Sequence, residues 1–330
     1  MKQINFESEV HVDNRNFIEK LLEKLAPKKF EGIDWDRWKR KNLTLAGFGR
    51  FCWAIVRAVL IIGISFMILY PFVVKIIVSF MSTNDLTDKT VMFFPREGST
   101  YFIQRAVMNM DYWTALINSI WLSLVVSIFQ LIVSCLAGYG FARFKFKGSN
   151  LLFVIVIVSL IIPPQTIMLP LYSTFRYFFG GLDLVNTLWP LAIMSATGLG
   201  LKNGLYIYLM RQFFRGMPKE LEQSAYIDGA GPFKTFVLIM LPNAFNMMIT
   251  VFLFSFTWQW TDTTYNSMLM PNMTILSNTL FNVVKGVEDV LQQQTLLDTG
   301  SLLMIAPLLI VFLFAQRYFV QGIERSGLVG

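Results

Sequence analysis

The chain has 330 residues, of which 55% are hydrophobic, 15% aromatic and only 15% charged. A soluble globular domain carries about 25% charge, so the composition points to a membrane protein. The formal charge of +7 does not mark a nucleic-acid patch, because the basic residues fall between apolar runs, where they act as topology signals and lipid-headgroup contacts.

A bilayer core about 30 Å thick is crossed by about 20 apolar residues of helix. Six such runs occur, at about 53–80, 113–142, 151–172, 184–210, 236–260 and 302–318, and predict an all-α polytopic fold. Trp53 and Trp113 open the first two, as suits an interfacial belt. Pro163, Pro164 and Pro170 interrupt the third, implying a kink or break whose freed carbonyls need other partners. An even number of crossings puts both termini on one side, with residues 1–50 as a tail and 51–330 as the six-helix domain.

In the tail, Phe17, Ile18, Leu21, Leu22 and Leu25 recur at helical spacing with charges between them, and Pro27 ends the run. This amphipathic helix lies on the membrane, on a partner, or on the chain's own cytoplasmic face. Trp35 to Arg50 reads as an interfacial lead-in, and no early apolar run suggests a cleavable signal peptide.

Orientation follows from the short connections. One side holds Arg143, Lys145, Lys147, Arg211, Arg215, Lys219, Lys234, Arg317 and Arg325, beside the basic tail. The other holds Lys89, Arg96, Arg105, Arg176 and Lys285. The first side is therefore expected in the cytoplasm, with both termini.

The cytoplasmic connection between the fourth and fifth runs has the ends of a short helix, about Pro218 to Asp228. Pro218 suits a first turn, Glu220 and Glu222 complement the helix dipole, Gly229 suits a left-handed terminus and Pro232 prevents continuation. Leu221 and Ala225 share a face. A projecting helix of this kind suits a groove on another protein.

Here Gln223, Ser224, Ala225, Gly229, Ile239, Leu241 and Pro242 match the spacing of the EAA signature of ABC importer permeases, E-A-A-x3-G-x9-I-x-L-P, with Gln223 in place of Glu and Ser224 in place of Ala. NSIWLSLVVSIFQLIVSCLAGYGFARFKFKG resembles the second span and following basic turn of the MalG-like carbohydrate permeases, PPQTIMLPLY their third-span break, and QRYFVQGIERSGLVG their C-terminal tail. The resemblance covers most of the chain from Trp113 onward.

The resemblance implies a MetI/MalG-like permease fold in a bacterial cytoplasmic membrane, with a coupling helix between spans four and five. It implies that Glu220, Glu222, Gln223, Ser224, Ala225, Asp228 and Gly229 couple the chain to an ATPase. The implied partners are a second homologous permease subunit, two ATPase subunits, an extracytoplasmic solute-binding protein and a carbohydrate, an oligosaccharide in particular. This chain itself is expected to bind no cofactor and no metal and to catalyse nothing, with ATP and Mg held by the partner ATPase subunits. Gly229, Gly231, Lys234 and Thr235 superficially resemble a phosphate-binding loop, but Phe233 stands where such a loop needs glycine before the lysine.

Polar residues within spans are costly and invite a functional reading. Lys202 lies about ten residues from Phe213 near the cytoplasmic end, so roughly 15 Å deep at 1.5 Å per residue. It faces the pathway or a partner, or forms an ion pair with the second permease. Trp258, Gln259, Trp260 and Asp262 combine aromatic faces with hydrogen-bonding groups as sugars require, or else form an interfacial belt ahead of a loop. Asn243 and Asn246 are further pathway candidates or braces for their own span.

Other functions fit less well. Cys52 and Cys135 have no disulfide or metal spacing and read as packing residues. The sole histidine, His11, lies in the tail without a catalytic partner, which argues against an enzyme. The rival class is an ion-coupled secondary transporter, which also uses broken helices, although the six runs contain no carboxylate.

Overall fold

The computed structural model describes residues 45–327 apart from residues 89 and 92. The amphipathic helix expected in the tail, its lead-in up to residue 44 and His11 lie outside the described residues. Among the described residues the chain is helical without strands, apart from isolated bridges between Met81 and Gly98 and between Phe178 and Leu182.

Helix α1 spans Leu45–Ser79 and contains Pro71. Of the described residues, 45–70 belong to one unit, and Pro71 onward to a second that holds every other element. In the first unit apolar side chains such as Ile62 and Met67 stand exposed, as lipid-facing residues do.

In the second unit, α2 (Thr83–Thr87) and α3 (Tyr101–Asn109) lead into α4 (Tyr112–Arg143), around which the core is built. One side of α4 buries Ser119, Ser123, Ser127, Gln130, Ser134 and Gly138, at intervals of three or four residues. Small residues at that spacing let neighbouring backbones approach. At Gly138 the approach is closest: a Cβ there would lie 2.6 Å from the Met210 Cβ and 2.9 Å from the Arg211 nitrogen.

The third expected run is broken where its prolines predict. Helix α5 (Ser149–Val158) ends before Pro163, and α6 (Pro164–Arg176) resumes with a proline in its first turn and Pro170 inside. The fourth run, read from sequence as one stretch, is also divided, into α7 (Trp189–Ala196) and α8 (Asn203–Gly216). Between them Gly198 and Lys202 take positive φ angles of 80° and 59°, which no helix accommodates.

The connecting helix α9 is Glu220–Ile227. Its end is a Schellman turn around Gly229, whose φ is 81°: the Gly229 N–H donates to the Tyr226 carbonyl and the Ala230 N–H to the Ala225 carbonyl, at 3.1 and 2.9 Å.

The fifth run is α10 (Pro232–Asn243) and α11 (Phe245–Thr261), set 79° apart. A π-helical stretch, Phe236–Met240, precedes Pro242, which has no N–H to continue the ladder. Short helices α12 (Thr264–Leu269) and α13 (Leu276–Thr279) then lead to α14, Val290–Gly327, which begins well before the expected residue 302 and contains Pro307.

Among the described residues three helices are long and apolar enough to cross a membrane, Phe51–Ser79, Tyr112–Arg143 and Val290–Arg317, and the bent pair α10 and α11 qualifies as a fourth. Apolar side chains of α4, α8, α10 and α11 close the core at one end, around Tyr206, Phe214 and Met240. Those of α3, α4, α11 and α14 close it at the other, around Phe102, Trp260 and Leu296.

Candidate functional site

Two places gather the residues singled out by sequence. The first is α9. Glu222 is only 8% exposed and turns inward, where its Oε2 lies 3.1 Å from the Arg143 Nε and its Oε1 accepts from the Tyr139 hydroxyl at 2.7 Å. The Nε contact is an ion pair without hydrogen-bond alignment; Arg143 donates through Nη2 to the Met217 carbonyl, 2.8 Å away, just ahead of α9. Tyr139 is held in turn by the rings of Phe144, Phe214 and Phe236, with centroids 5.6, 5.5 and 4.7 Å away.

Thus the buried Glu222 fastens α9 to the end of α4; Ala225 is buried as well, while Glu220, Gln223, Ser224, Asp228 and Gly229 are exposed. Ser224 also donates to the Glu220 carbonyl at 2.8 Å, within the helix. Helix α9 also exposes apolar side chains that the sequence did not single out, Ile227, 86% exposed, and Tyr226, and Phe233 at the start of α10 is exposed beside them in sequence. Arg143 and Tyr139 were missed too. Arg143 was counted only as a topology charge, and a cation in the last turn of the preceding long helix was the available signal.

The second place is the pair of broken helices. The turn after α5 and the break between α7 and α8 face one another across a cavity of about 330 Å³, lined by Ile162, Ile167, Leu171, Lys202, Asn203 and Tyr265 among others. The break is secured from α4: Gln130 donates to the Leu201 carbonyl at 3.1 Å and accepts from the Ser255 hydroxyl of α11. Gly200 fits because a Cβ would stand 2.4 Å from the Gln130 Nε2. Lys202 extends over the face of Trp258, with Nζ 5.2 Å from the ring centroid, a cation–π distance.

The remaining pathway candidates lie in other settings. Gln259 is buried and donates to Asn266 at 3.0 Å, and Trp260 is buried with its indole N–H on the Met304 carbonyl at 3.0 Å. Asp262, just past the end of α11, accepts from the Asn266 N–H at 2.9 Å. Burial pushes its carboxyl above the usual aspartate range, partly offset by N–H groups of residues 264–266. Asn243 donates to the Ile239 carbonyl of its own helix at 2.7 Å, and the Asn246 carbonyl accepts from Thr250 at 3.0 Å. The structure therefore lays Lys202, which lines the cavity, over the ring of Trp258, which does not, while Gln259, Trp260 and Asp262 hold the C-terminal end of α11 in place.

Comparison with known proteins adds three findings. The profile of a family described as binding-protein-dependent transport system inner membrane component matches residues 130–325. The arabinooligosaccharides transport system permease protein AraQ of Halalkalibacterium halodurans is 29% identical over 282 residues, covering 81% of this chain and 93% of the relative. Its counterpart AraQ in Bacillus subtilis is 28% identical over 288 residues, covering 81% and 92%. The fold resembles a chain in the crystal structure of a bacterial ABC transporter involved in the import of the acidic polysaccharide alginate, with a TM-score of 0.68, 20% identity, and coverage of 82% and 98%.

Proposed function

The chain belongs to the family of binding-protein-dependent transport system inner membrane components, and from that premise we propose that it is a permease subunit of an ATP-driven importer of oligosaccharides. It works with a homologous permease, a pair of ATPase subunits that hold ATP and Mg, and an extracytoplasmic binding protein. The relatives named for arabinooligosaccharide transport support a carbohydrate as cargo. Hydrolysis belongs to the partner ATPase, and this chain is not itself an enzyme.

The observation that carries this reading is the anchoring of α9. A helix that shows Tyr226 and Ile227 outward while its buried Glu222 is clamped by Tyr139 and Arg143 can pass a push on its outer face directly into α4. From α4, Gln130 reaches the break beside the cavity. On this reading the broken pairs α5–α6 and α7–α8 each complete one crossing, giving six with both termini cytoplasmic. ATP-driven closure of the ATPase shifts the permease between outward and inward access, because nucleotide binds the closed state more tightly.

The test is uptake of labelled oligosaccharide into proteoliposomes containing the purified complex, with binding protein outside the cell-facing surface and ATP on the ATPase side. Uptake that needs ATP and persists after ionophores collapse all ion gradients is the expected result. Gradient-driven uptake by this chain alone, without ATP, would assign it instead to the ion-coupled carriers.

A further inference from the structure

The break between α7 and α8 sets three groups suited to an anion on one cavity. The first is Lys202. Among the described residues the ion pairs join Lys75 to Asp298, Arg96 to Asp88, Arg143 to Glu222 and Arg176 to Asp183, and none provides a carboxylate for Lys202. Its ammonium rests on the Trp258 ring instead. A cation within a membrane protein is expensive unless a counter-charge is supplied.

The second is the N-terminus of α8. This helix of 14 residues begins at Asn203, directly after Lys202, and no side chain caps it. The Asn203 and Leu205 N–H groups already donate to the Gly200 and Lys202 carbonyls, at 3.0 and 2.9 Å, so what this N-terminus offers an anion is the positive end of the helix dipole. Broken membrane helices aim that end at anionic groups of the substrate.

The third is Asn203 itself, which lines the cavity and is only 1% exposed, yet neither its amide oxygen nor its amide nitrogen has a partner among the described residues. A buried amide left unpaired is costly, and one at a cavity wall offers both a donor and an acceptor to a ligand that bears hydroxyls.

Beside the cavity, under the Lys202 side chain, the Trp258 ring offers a stacking face. Trp258 is 44% exposed, so a sugar ring can displace the Lys202 ammonium from the indole and leave it free to meet an anionic substituent of that sugar. The volume of about 330 Å³ lies within the 300–1,000 Å³ typical of ligand sites.

We propose that this cavity selects a saccharide bearing a carboxylate, a uronosyl residue, with Lys202 and the α8 N-terminus facing the carboxylate, Asn203 the hydroxyls, and Trp258, adjoining the cavity through Lys202, the ring. The inference rests on the chain being a carbohydrate permease.

The test is equilibrium binding of radiolabelled tri-galacturonide, and of its carboxyl-reduced neutral counterpart, to the purified permease–ATPase complex without binding protein, so that only the membrane complex selects. The uronosyl form is expected to bind at least about tenfold more tightly, a difference that one charge-assisted contact supplies. Lys202→Gln is expected to erase the preference and Lys202→Arg to keep most of it. The wild-type comparison stands even if a variant fails to assemble.

Equal binding, tighter binding of the neutral form, no binding of either, or a preference that survives in Lys202→Gln each overturns the inference. So does recovery of an anionic phospholipid that leaves the complex only in Lys202→Gln, because a lipid is then the anion at this site. Those outcomes leave the permease reading standing. That reading fails separately, if the proteoliposomes show no ATP-driven uptake of any saccharide.

Discussion

Arg143 and Glu222 approach to 3.1 Å between Nε and Oε2 with both side chains nearly cut off from water, joining the end of α4 to the short helix α9. A buried pair of this kind is a rigid link whose loss leaves a charge unpaired. Removing one partner costs about 3–5 kcal/mol, whereas replacing both by apolar residues of similar size is often neutral. Glu222→Gln is therefore expected to lower the thermal stability of the purified complex sharply, and Arg143→Met with Glu222→Leu to recover much of it. Additive losses in the double variant, read from thermal unfolding, would show that the two residues act independently.

The approach of α4 to α8 at Gly138 yields a paired prediction. Gly138→Ala places a Cβ against the Met210 Cβ and the Arg211 backbone, an overpacking that costs about 1–3 kcal/mol. Gly140→Ala, two residues on, meets nothing within 4 Å and gains up to about 1 kcal/mol of helix propensity. Denaturation midpoints of the two variants should move in opposite directions.

At the end of α9, Gly229 has φ 81° and open space around it, so any penalty on substitution is conformational and not steric crowding. A β-branched side chain in that region costs about 1–3 kcal/mol and tilts the last turn. Gly231 has an extended backbone, φ −74° and ψ 167°, which any residue adopts. Gly229→Val is expected to weaken recovery of the ATPase and transport-linked hydrolysis, and Gly231→Val to leave both near wild type. Equal behaviour of the two would remove the Schellman turn from the coupling role.

Much of this arrangement was legible in the sequence. Pro163 and Pro164 announce the break in the third run because proline's lost N–H and fixed φ are local facts. The ends of α9 were readable from Pro218, Glu220 and Gly229 for the same reason. The break at Gly198–Lys202 was not legible, since the surrounding residues are apolar enough to read as one span and the break is secured from elsewhere, by Gln130 on α4. The inward turn of Glu222 was hidden as well. An acidic residue in a first helical turn suits the dipole whether it faces solvent or a partner, and only folding brings Tyr139 and Arg143 to it. Trp258 and its neighbour Gln259 look alike in sequence as sugar-binding residues; packing separates them, leaving the indole exposed and tying the amide to Asn266.

The most direct test of the account is a mild-detergent pull-down of the tagged chain from its native membrane, wild type beside Ile227→Asp. Ile227 is 86% exposed and supports no core, so a charge there disturbs a partner and not the fold. Wild type should recover a homologous permease and an active ATPase, and Ile227→Asp should keep the permease but lose the ATPase by about 30-fold or more, as expected when a buried contact point of about 2 kcal/mol is destroyed. Equal recovery of the ATPase by both forms, or no ATPase with either, would contradict the role assigned to α9.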